Sequence, residues 1–392
     1  MRASDYGLDG YDDIQAETRA VVESLAPRDR EPRAGEGLTE TQVKAFRASG
    51  LSRYAVPGKF GGIAERVDPV AVCVIREELM YGSSPLDAMF ALQGIGSYAL
   101  TLGGDPELQR YWLPRIASGE ALAAMALTEP GAGSDLKAAT TTIRADGDEL
   151  VLDGHKSFIS HAEVADVITV FGKEEGGWSL VSVPAGTPGL SIRPGPSLIA
   201  PHDVADVVLD GVRVPASHRI GAPGKAFELV LATLTVFRAS VAGSAVGLAQ
   251  AALDEAVRHC REREQFGRPL YKLGPVAGLL ADSGADVEMS RLLAYRAATR
   301  ARDLADGGSS DAAGAAESLD YSSMAKLAAT EAACRVVDRC VQAMGRFGLV
   351  ADSRIGQIYL LQRPLRIYEG ASEVLRLGVA RYLTAQLPEQ PR

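Results

Sequence analysis

Cysteine is scarce in this chain: four among 392 residues, at Cys73, Cys260, Cys334 and Cys340. None belongs to a CxxC pair and the five histidines are scattered, so there is no metal-ligand spacing and reduced thiols are the simplest reading. Positive charge is also short. Fifty acidic residues against 41 basic ones give a net charge of -9, and no basic stripe interleaved with aromatics occurs, which argues against a nucleic-acid partner. The opening "MRASDYGLDGYDDIQ" lacks both the basic and apolar regions of a secretory signal and the Arg-rich bias of a transit peptide, so the cytoplasm is the expected location. No internal repeat is visible.

What is present is apolar mass. At 46% hydrophobic, the chain has enough to bury a large core shared by two or three structural units. One stretch, "LVLATLTVFRASVAGSAVGLAQAAL" (229–253), raises the question of a membrane span. Arg238 in its middle and its many Ala and Gly residues point instead to a helix packed inside the protein, and no membrane association is expected.

The texture divides the chain into an N-terminal helical unit (1–122), a middle β unit (123–223) and a C-terminal helical unit (224–392). In the first, "DPELQRYWLPRIASGE" predicts a helix capped by Asp105, with Pro106 at its first position and Gly119 stopping it. In the second, short β-branched runs alternate, and Asp-Gly pairs at 146/147, 153/154 and 210/211 predict tight turns of a small barrel or sandwich. In the third, Val246, Ala249, Leu253, Ala256, Val257 and Cys260 share one face of a long helix. Ala239, Ala242, Gly243, Ala245 and Gly247 make it slim enough to be buried on several sides. The low-complexity piece "DLADGGSSDAAGAAESLD" (303–320) reads as a mobile connection between helices.

Four segments carry chemistry. "ALTEPGAGSDL" (126–136) puts Thr128, Ser134 and two glycines where a phosphate or a heteroaromatic ring can approach backbone amides, although a plain junction turn has the same composition. Leu136 stands where a dinucleotide fingerprint has its third glycine. "FISHA" (158–162) offers a flat wall with a polar edge, or a half-buried strand. "REREQFGRPL" (261–270) ends a helix with a cationic cluster that can grip a diphosphate or simply be solvated. "RIYEGASEV" (366–374) places Glu369 before an apolar helical pattern. Ile367 and Tyr368 are expected to bury it and raise its pKa, and Gly370 to let a substrate approach, while an acid near a helix start also has a purely electrostatic explanation.

In combination and in this order, "ALTEPGAGSDL", "FISHA", "REREQFGRPL" and "IYEGASEV" resemble the acyl-CoA dehydrogenase family from about residue 12 to about 384. The resemblance implies an α+β fold, mainly α: an N-terminal helical domain, a middle β-domain and a C-terminal four-helix bundle. It implies FAD as cofactor and a homotetramer built as a dimer of dimers. Met125, Leu127, Thr128, Phe158 and Ser160 are then expected around the flavin ring and Ser134 at its phosphates. Arg263, Phe266, Gln342 and Gly345 are expected at the FAD of a neighbouring subunit. Glu369 is the implied catalytic base, with Arg238, Tyr368 and Gly370 at the substrate. The implied reaction is α,β-desaturation of an acyl thioester, with electrons passing to an electron-transfer flavoprotein.

The chain also departs from the family's pattern. Gly345-Arg346 replaces a Gly-Gly pair, Leu360-Leu361 an Arg-Asp pair, Thr235 an acid that grips pantetheine, and Ala371 a threonine. These departures put the substrate carrier in doubt and keep open the same dehydrogenation on an acyl group borne by an acyl carrier protein. An acyl-thioester oxidase using oxygen is a second alternative, and a non-catalytic assembly partner a third, against which the retention of Glu369, Thr128, Ser134 and Arg263 argues.

Overall fold

A computed structural model describes residues 2–31, 37–306 and 312–385. Within them the first third forms α1 (Asp12–Ser24), α2 (Pro27–Arg30), α3 (Glu40–Ala48), α4 (Pro69–Gly82), α5 (Ser84–Gly103) and α6 (Pro106–Ala117). The sequence signals around α6 act as read. Asp105 Oδ1 accepts the Glu107 N–H at 2.8 Å, Pro106 is the first helical residue, and Gly119 takes φ 77°.

The middle unit is one mixed sheet of β1 (Ala123–Ala126), β2 (Thr142–Asp146), β3 (Glu149–Ser160), β4 (Val167–Glu174), β5 (Gly177–Pro184), β6 (Leu190–Pro194), β7 (Val204–Pro215) and β8 (Arg219–Ile220). Its order is β6-β7-β3-β2-β4-β5-β8, with β1 alongside β4. Strands from both halves of that path, including Val207 and Leu209 of β7 and Val181 and Val183 of β5, bury side chains in one apolar cluster. The sheet therefore curves around a common core.

Two of the three Asp-Gly turns predicted from sequence are not turns. Gly147 (φ 66°) does join β2 to β3, but Asp153-Gly154 lies inside β3 and Asp210-Gly211 inside β7. The register between these strands steps from Leu152↔Val212 to Gly154↔Leu209, so Asp210 and Gly211 together oppose Asp153. This is a β-bulge with Gly211 left-handed at φ 61°, and Asp153 Oδ1 accepts the Gly211 N–H at 2.8 Å. A bulge and a tight turn ask for the same left-handed glycine, and the dipeptide alone does not separate them.

The last part contains α7 (Ala226–Glu262), a two-residue-strand hairpin of β9 (Glu264–Gln265) and β10 (Arg268–Pro269), α8 (Gly274–Asp306), α9 (Ala312–Met344), α10 (Arg354–Leu361) and α11 (Ser372–Ala385). Helices α7, α8 and α9 pack on one another, and α11 packs on α9. The connection expected over 303–320 is much shorter than predicted, because α8 continues to Asp306 and α9 starts at Ala312; residues 307–311 lie outside the described residues. Alanine-rich sequence is low in complexity but high in helix propensity, and propensity wins here.

Helix α7 has the length and apolarity of a membrane span, yet 67% of its most apolar window is buried inside the protein. Its small residues explain how. A Cβ on Gly243 would lie 2.6 Å from the Cys73 carbonyl oxygen, and one on Gly247 would lie 2.0 Å from that of Glu77, so α4 crosses α7 in backbone contact. Three consecutive charges on the otherwise apolar α4 then fix its neighbours. Arg76 pairs with Asp87 of α5, Glu77 with Arg291 and Tyr295 of α8, and Glu78 with Arg19 of α1. Removing one partner from such a buried pair costs far more than the pair itself contributes.

Candidate active site

Among the described residues, four that are not glycine have positive φ: Phe158 (57°), His161 (55°), Phe266 (54°) and Glu369 (52°). All four fall in "FISHA", "REREQFGRPL" and "IYEGASEV". Each such residue costs of order 1–3 kcal/mol and persists only where its surroundings hold it, so the coincidence makes these segments candidates for function independently of their sequence pattern.

Glu369 sits in the loop between the short 3₁₀ turn Pro364–Arg366 and α11, three residues before the helix starts. Two cations grip its backbone. Arg238 Nε of α7 donates to the Glu369 carbonyl at 2.9 Å, and Lys326 Nζ of α9 donates to the Gly370 carbonyl at 2.7 Å. Arg238 Nη1 also reaches Ser323 Oγ at 3.2 Å. These bonds over-determine the strained peptide, and Gly370 (φ 107°) completes the bend with a geometry few side chains accept.

The Glu369 side chain is 13% exposed, with Oε1 3.8 Å from Arg76 Nη1. Its Oε2 is buried without a hydrogen-bond partner among the described residues. Burial pushes the carboxyl above its ordinary range, while Arg76, Arg238 and Lys326 pull against that rise. Burial in turn lowers Lys326 to about 8 and pushes the Tyr368 hydroxyl up. A desolvated carboxylate with one unspent oxygen is suited to taking a proton from a weak carbon acid. Ile367, expected to help bury it, is 57% exposed; the groups packed against Glu369 and Gly370 come from α4, α7 and α9 instead. Arg238, expected at the substrate, holds the backbone of Glu369 through its Nε.

The second part of the site lies where β3 ends. Between Lys156↔Val207 and Ile159↔Ala205 the register slips, so Ser157 and Phe158 together oppose Asp206. The bulge turns Phe158 outward, leaving it 52% exposed while Ile159 is buried. Ser157 N–H donates to the Thr128 carbonyl at 3.0 Å, which ties "FISHA" to "ALTEPGAGSDL". Lys156, fully buried, donates to the Leu127 carbonyl at 3.0 Å and to Glu129 Oε1 at 2.8 Å. Burial would raise the Glu129 pKa, but Lys156 and the Thr140 and Thr141 donors outweigh it and hold it at about 2. Glu129 is thus the anchor of this loop. Met125 lies on β1, Leu127 and Thr128 are half-buried, and Ser134 is exposed. A Cβ on Gly131 or Gly133 would meet nothing within 4 Å. The Cβ side of both glycines is therefore open, and with the half-exposed Phe158 this segment fits a cradle for a phosphate and a flat ring such as FAD presents.

Ser160 Oγ lies 2.7 Å from His202 Nε2, and His202 stacks at a tilt on His161, ring centroids 5.3 Å apart. Burial and then His202 lower the His161 pKa to about 3. Asp87, near the start of α5, pairs with Arg76, whose Nη1 lies 3.8 Å from Glu369 Oε1.

Arg263, Phe266, Gln342 and Gly345 collect elsewhere. Arg263 lies 5.8 Å from the Phe347 ring, which also contacts His259, and Phe266 tips the β9–β10 hairpin at 90% exposure. Twenty-five residues of α7 separate Arg263 from Arg238, or roughly 37 Å along a helix.

Sequence reasoning missed Arg76, Asp87, Lys156, Glu129, Lys326, His161 and His202. Arg76 within "VAVCVIREELM" and Lys326 within "SSMAKLAAT" were visible as charges in apolar helices, which are retained only with partners.

Comparison with known proteins agrees with this layout. Residues 10–120, 124–212 and 224–384 match the N-terminal, middle and C-terminal domains of acyl-CoA dehydrogenase. The cyclohex-1-ene-1-carbonyl-CoA dehydrogenase of Geobacter metallireducens is 35% identical over 381 residues, 93% of this chain and 97% of that protein. Among solved structures, an acyl-CoA dehydrogenase complexed with FAD from Bacillus anthracis superposes with a TM-score of 0.87 at 27% identity, covering 96% of this chain and 67% of that one. FkbI, described as acting in biosynthesis of the methoxymalonyl extender unit of a polyketide immunosuppressant, superposes with a TM-score of 0.82 at 30% identity over 95% of this chain and 99% of its own. With its three domain matches, its relative at 35% identity and the site just described, the chain belongs to the acyl-CoA dehydrogenase family of oxidoreductases.

Proposed function

We propose that this protein desaturates an acyl thioester between Cα and Cβ with FAD as its cofactor, and that Glu369 is the base. The observation that carries the reading is the Glu369 carboxyl itself: buried, strained, held from behind by Arg238 and Lys326, with Oε2 unspent. The α-proton passes to this carboxylate. Negative charge then develops on the thioester carbonyl, and the Glu369 N–H is the donor we assign to that oxygen, while Arg238 and Lys326 hold the loop that presents it. When bound, FAD supplies the acceptor for the hydride that leaves Cβ, so both electrons of that C–H bond depart and the double bond forms.

Met125, Leu127, Thr128, Phe158 and Ser160 would flank the flavin ring, and Ser134 its phosphates. Tyr368 and Gly370 would border the thioester. The distance along α7 keeps Arg263, Phe266, Gln342 and Gly345 from serving the same site, so we assign them to the FAD of a second copy within a dimer of dimers. An electron-transfer flavoprotein in the cytoplasm is the acceptor that fits this chemistry.

The FkbI likeness favours a second reading, in which the acyl group rides on an acyl carrier protein. Thr235, at the position of the missing acid, spends its hydroxyl on the Leu231 carbonyl of its own helix at 2.9 Å, so the pantetheine arm that both carriers share has no anionic partner there and the carriers differ only beyond that arm. Anaerobic titration of the yellow holoprotein with matched CoA and carrier-protein thioesters separates the two, because only the true carrier bleaches the flavin at low concentration. Glu369→Gln should retain FAD and lose bleaching by about a hundredfold or more with either carrier; undiminished bleaching would remove Glu369 from the role of base.

A further inference from the structure

Of the three cations around Glu369, two are accounted for by the loop they hold. Arg238 binds the Glu369 carbonyl and Lys326 that of Gly370. Arg76 is different. It is 2% exposed and pairs in two-pronged fashion with Asp87, Nε to Oδ1 and Nη2 to Oδ2 both at 2.9 Å. Its Nη1 donates to Ser240 Oγ at 3.2 Å, and Ser244 Oγ supports Asp87 Oδ2 at 2.9 Å. Nη1 then faces Glu369 Oε1 at 3.8 Å, outside hydrogen-bonding range. A guanidinium carries five N–H groups. With three of them on Asp87 and Ser240, donors remain for Tyr368 and for the space in front of the base.

Next to Arg238, α7 and α5 leave no gap between them. Phe237, next to Arg238 on α7, is fully buried, with Tyr98 of α5 edge-on at 5.6 Å. A Cβ on Gly94 of α5 would lie 1.9 Å from its ring, so the aromatic fills the gap between the two helices. Arg76, Arg238 and Lys326 face Asp87 and Glu369, a surplus of one positive charge that grows to two when Glu369 takes a proton. An ion pair kept in such a place contributes little stability over apolar residues of similar volume.

We propose that Arg76 is a specificity-determining residue, selecting an acyl group that carries a hydrogen-bond-accepting oxygen, a hydroxyl or a carboxylate, a few bonds beyond Cα. The inference rests on the reading of Glu369 as the base. The carbon giving up its proton lies within about 3 Å of the carboxylate, so an oxygen a few bonds beyond it comes within reach of Nη1. An unbranched alkyl end would instead leave the guanidinium donors facing hydrocarbon, which is costly.

The test uses pantetheine thioesters of butyrate, 4-hydroxybutyrate and succinate with the FAD-loaded protein. Their dissociation constants are first read from flavin spectral shifts in Glu369→Gln, where turnover is blocked, and then from anaerobic bleaching rates in the wild type. The expected result is that at least one oxygen-bearing ester binds and reacts about tenfold or more better than butyryl, the carboxylate and hydroxyl arms showing which oxygen is preferred. Replacing the pair together, Arg76→Met with Asp87→Leu, should abolish that preference while avoiding an unpaired buried charge; Arg76→Lys should retain part of it. Butyryl binding as well as or better than both others in Glu369→Gln, or a preference unchanged in the double variant, overturns the proposal. Preferential binding of the oxygen-bearing esters without bleaching of wild-type flavin by any thioester would uphold Arg76 as the ligand and defeat the dehydrogenase reading alone.

Discussion

Glu369 and Phe266 share one backbone anomaly and opposite surroundings. Both take a positive φ beside a glycine, 52° and 54°, yet Glu369 is enclosed by α4, α7 and α9 while Phe266 stands 90% exposed at a hairpin tip. The strain at Glu369 is offset within the chain, by Arg238 and Lys326 on the carbonyls to either side of the bend. That at Phe266 sits at the tip of the β9–β10 ladder. Strain held from inside fits the base we propose; strain left exposed on a large aromatic fits the contact with a second copy that we propose. Phe158 is intermediate, half-exposed on a bulge that Lys156 and the Thr128 carbonyl fasten from below.

The comparison can be broken most forcefully at that fastening. Lys156→Met leaves Glu129 as an unpaired buried carboxylate and should cost about 3–5 kcal/mol in urea unfolding; a loss under about 1 kcal/mol would mean that the loop is held some other way. Next in size is Arg238→Met. Losing a charged donor to the Glu369 carbonyl should cost about 1.5–3 kcal/mol. Because Arg238 also pulls the Glu369 pKa down, the acid limb of the flavin-bleaching rate should move to higher pH in this variant. A limb that stays put would separate Arg238 from the base.

Phe266→Asn sharpens the other side. Asparagine tolerates a left-handed φ, so the separated chain should gain up to about 1 kcal/mol while self-association, followed by sedimentation on dilution, weakens. Unaltered association would leave the exposed strain without a partner. The smallest effect concerns His161. With its pKa held near 3 against an ordinary 6.5, the unfolded chain binds a proton that the folded chain refuses in that window, so stability falls as pH drops from 6.5 toward 3. Unfolding midpoints of His161→Asn across that range should fall less steeply than those of the wild type.

Much of this was legible in the sequence for local reasons. Asp105, Pro106 and Gly119 bound α6 through interactions within a few residues, and the small residues of α7 announced close packing before α4 was known as its partner. Glu369 was legible as a candidate because its neighbours mark a break before a helix. The bulge at Ser157-Phe158 was not, since register is a property of two strands and only β7 reveals the slip. Nor was the charge environment of the base: Arg76, Asp87, Arg238 and Lys326 come from four helices and converge only in space.

The most direct test of Glu369 as the base is deuterium wash-in at Cα. FAD-loaded wild type and Glu369→Gln would be incubated anaerobically in D₂O with a thioester that bleaches the wild-type flavin, and the recovered acyl group examined by mass spectrometry. The account predicts that the wild type exchanges the α-hydrogen and that the glutamine variant does so about a hundredfold more slowly or less. Equal exchange in both would show that another group takes the proton.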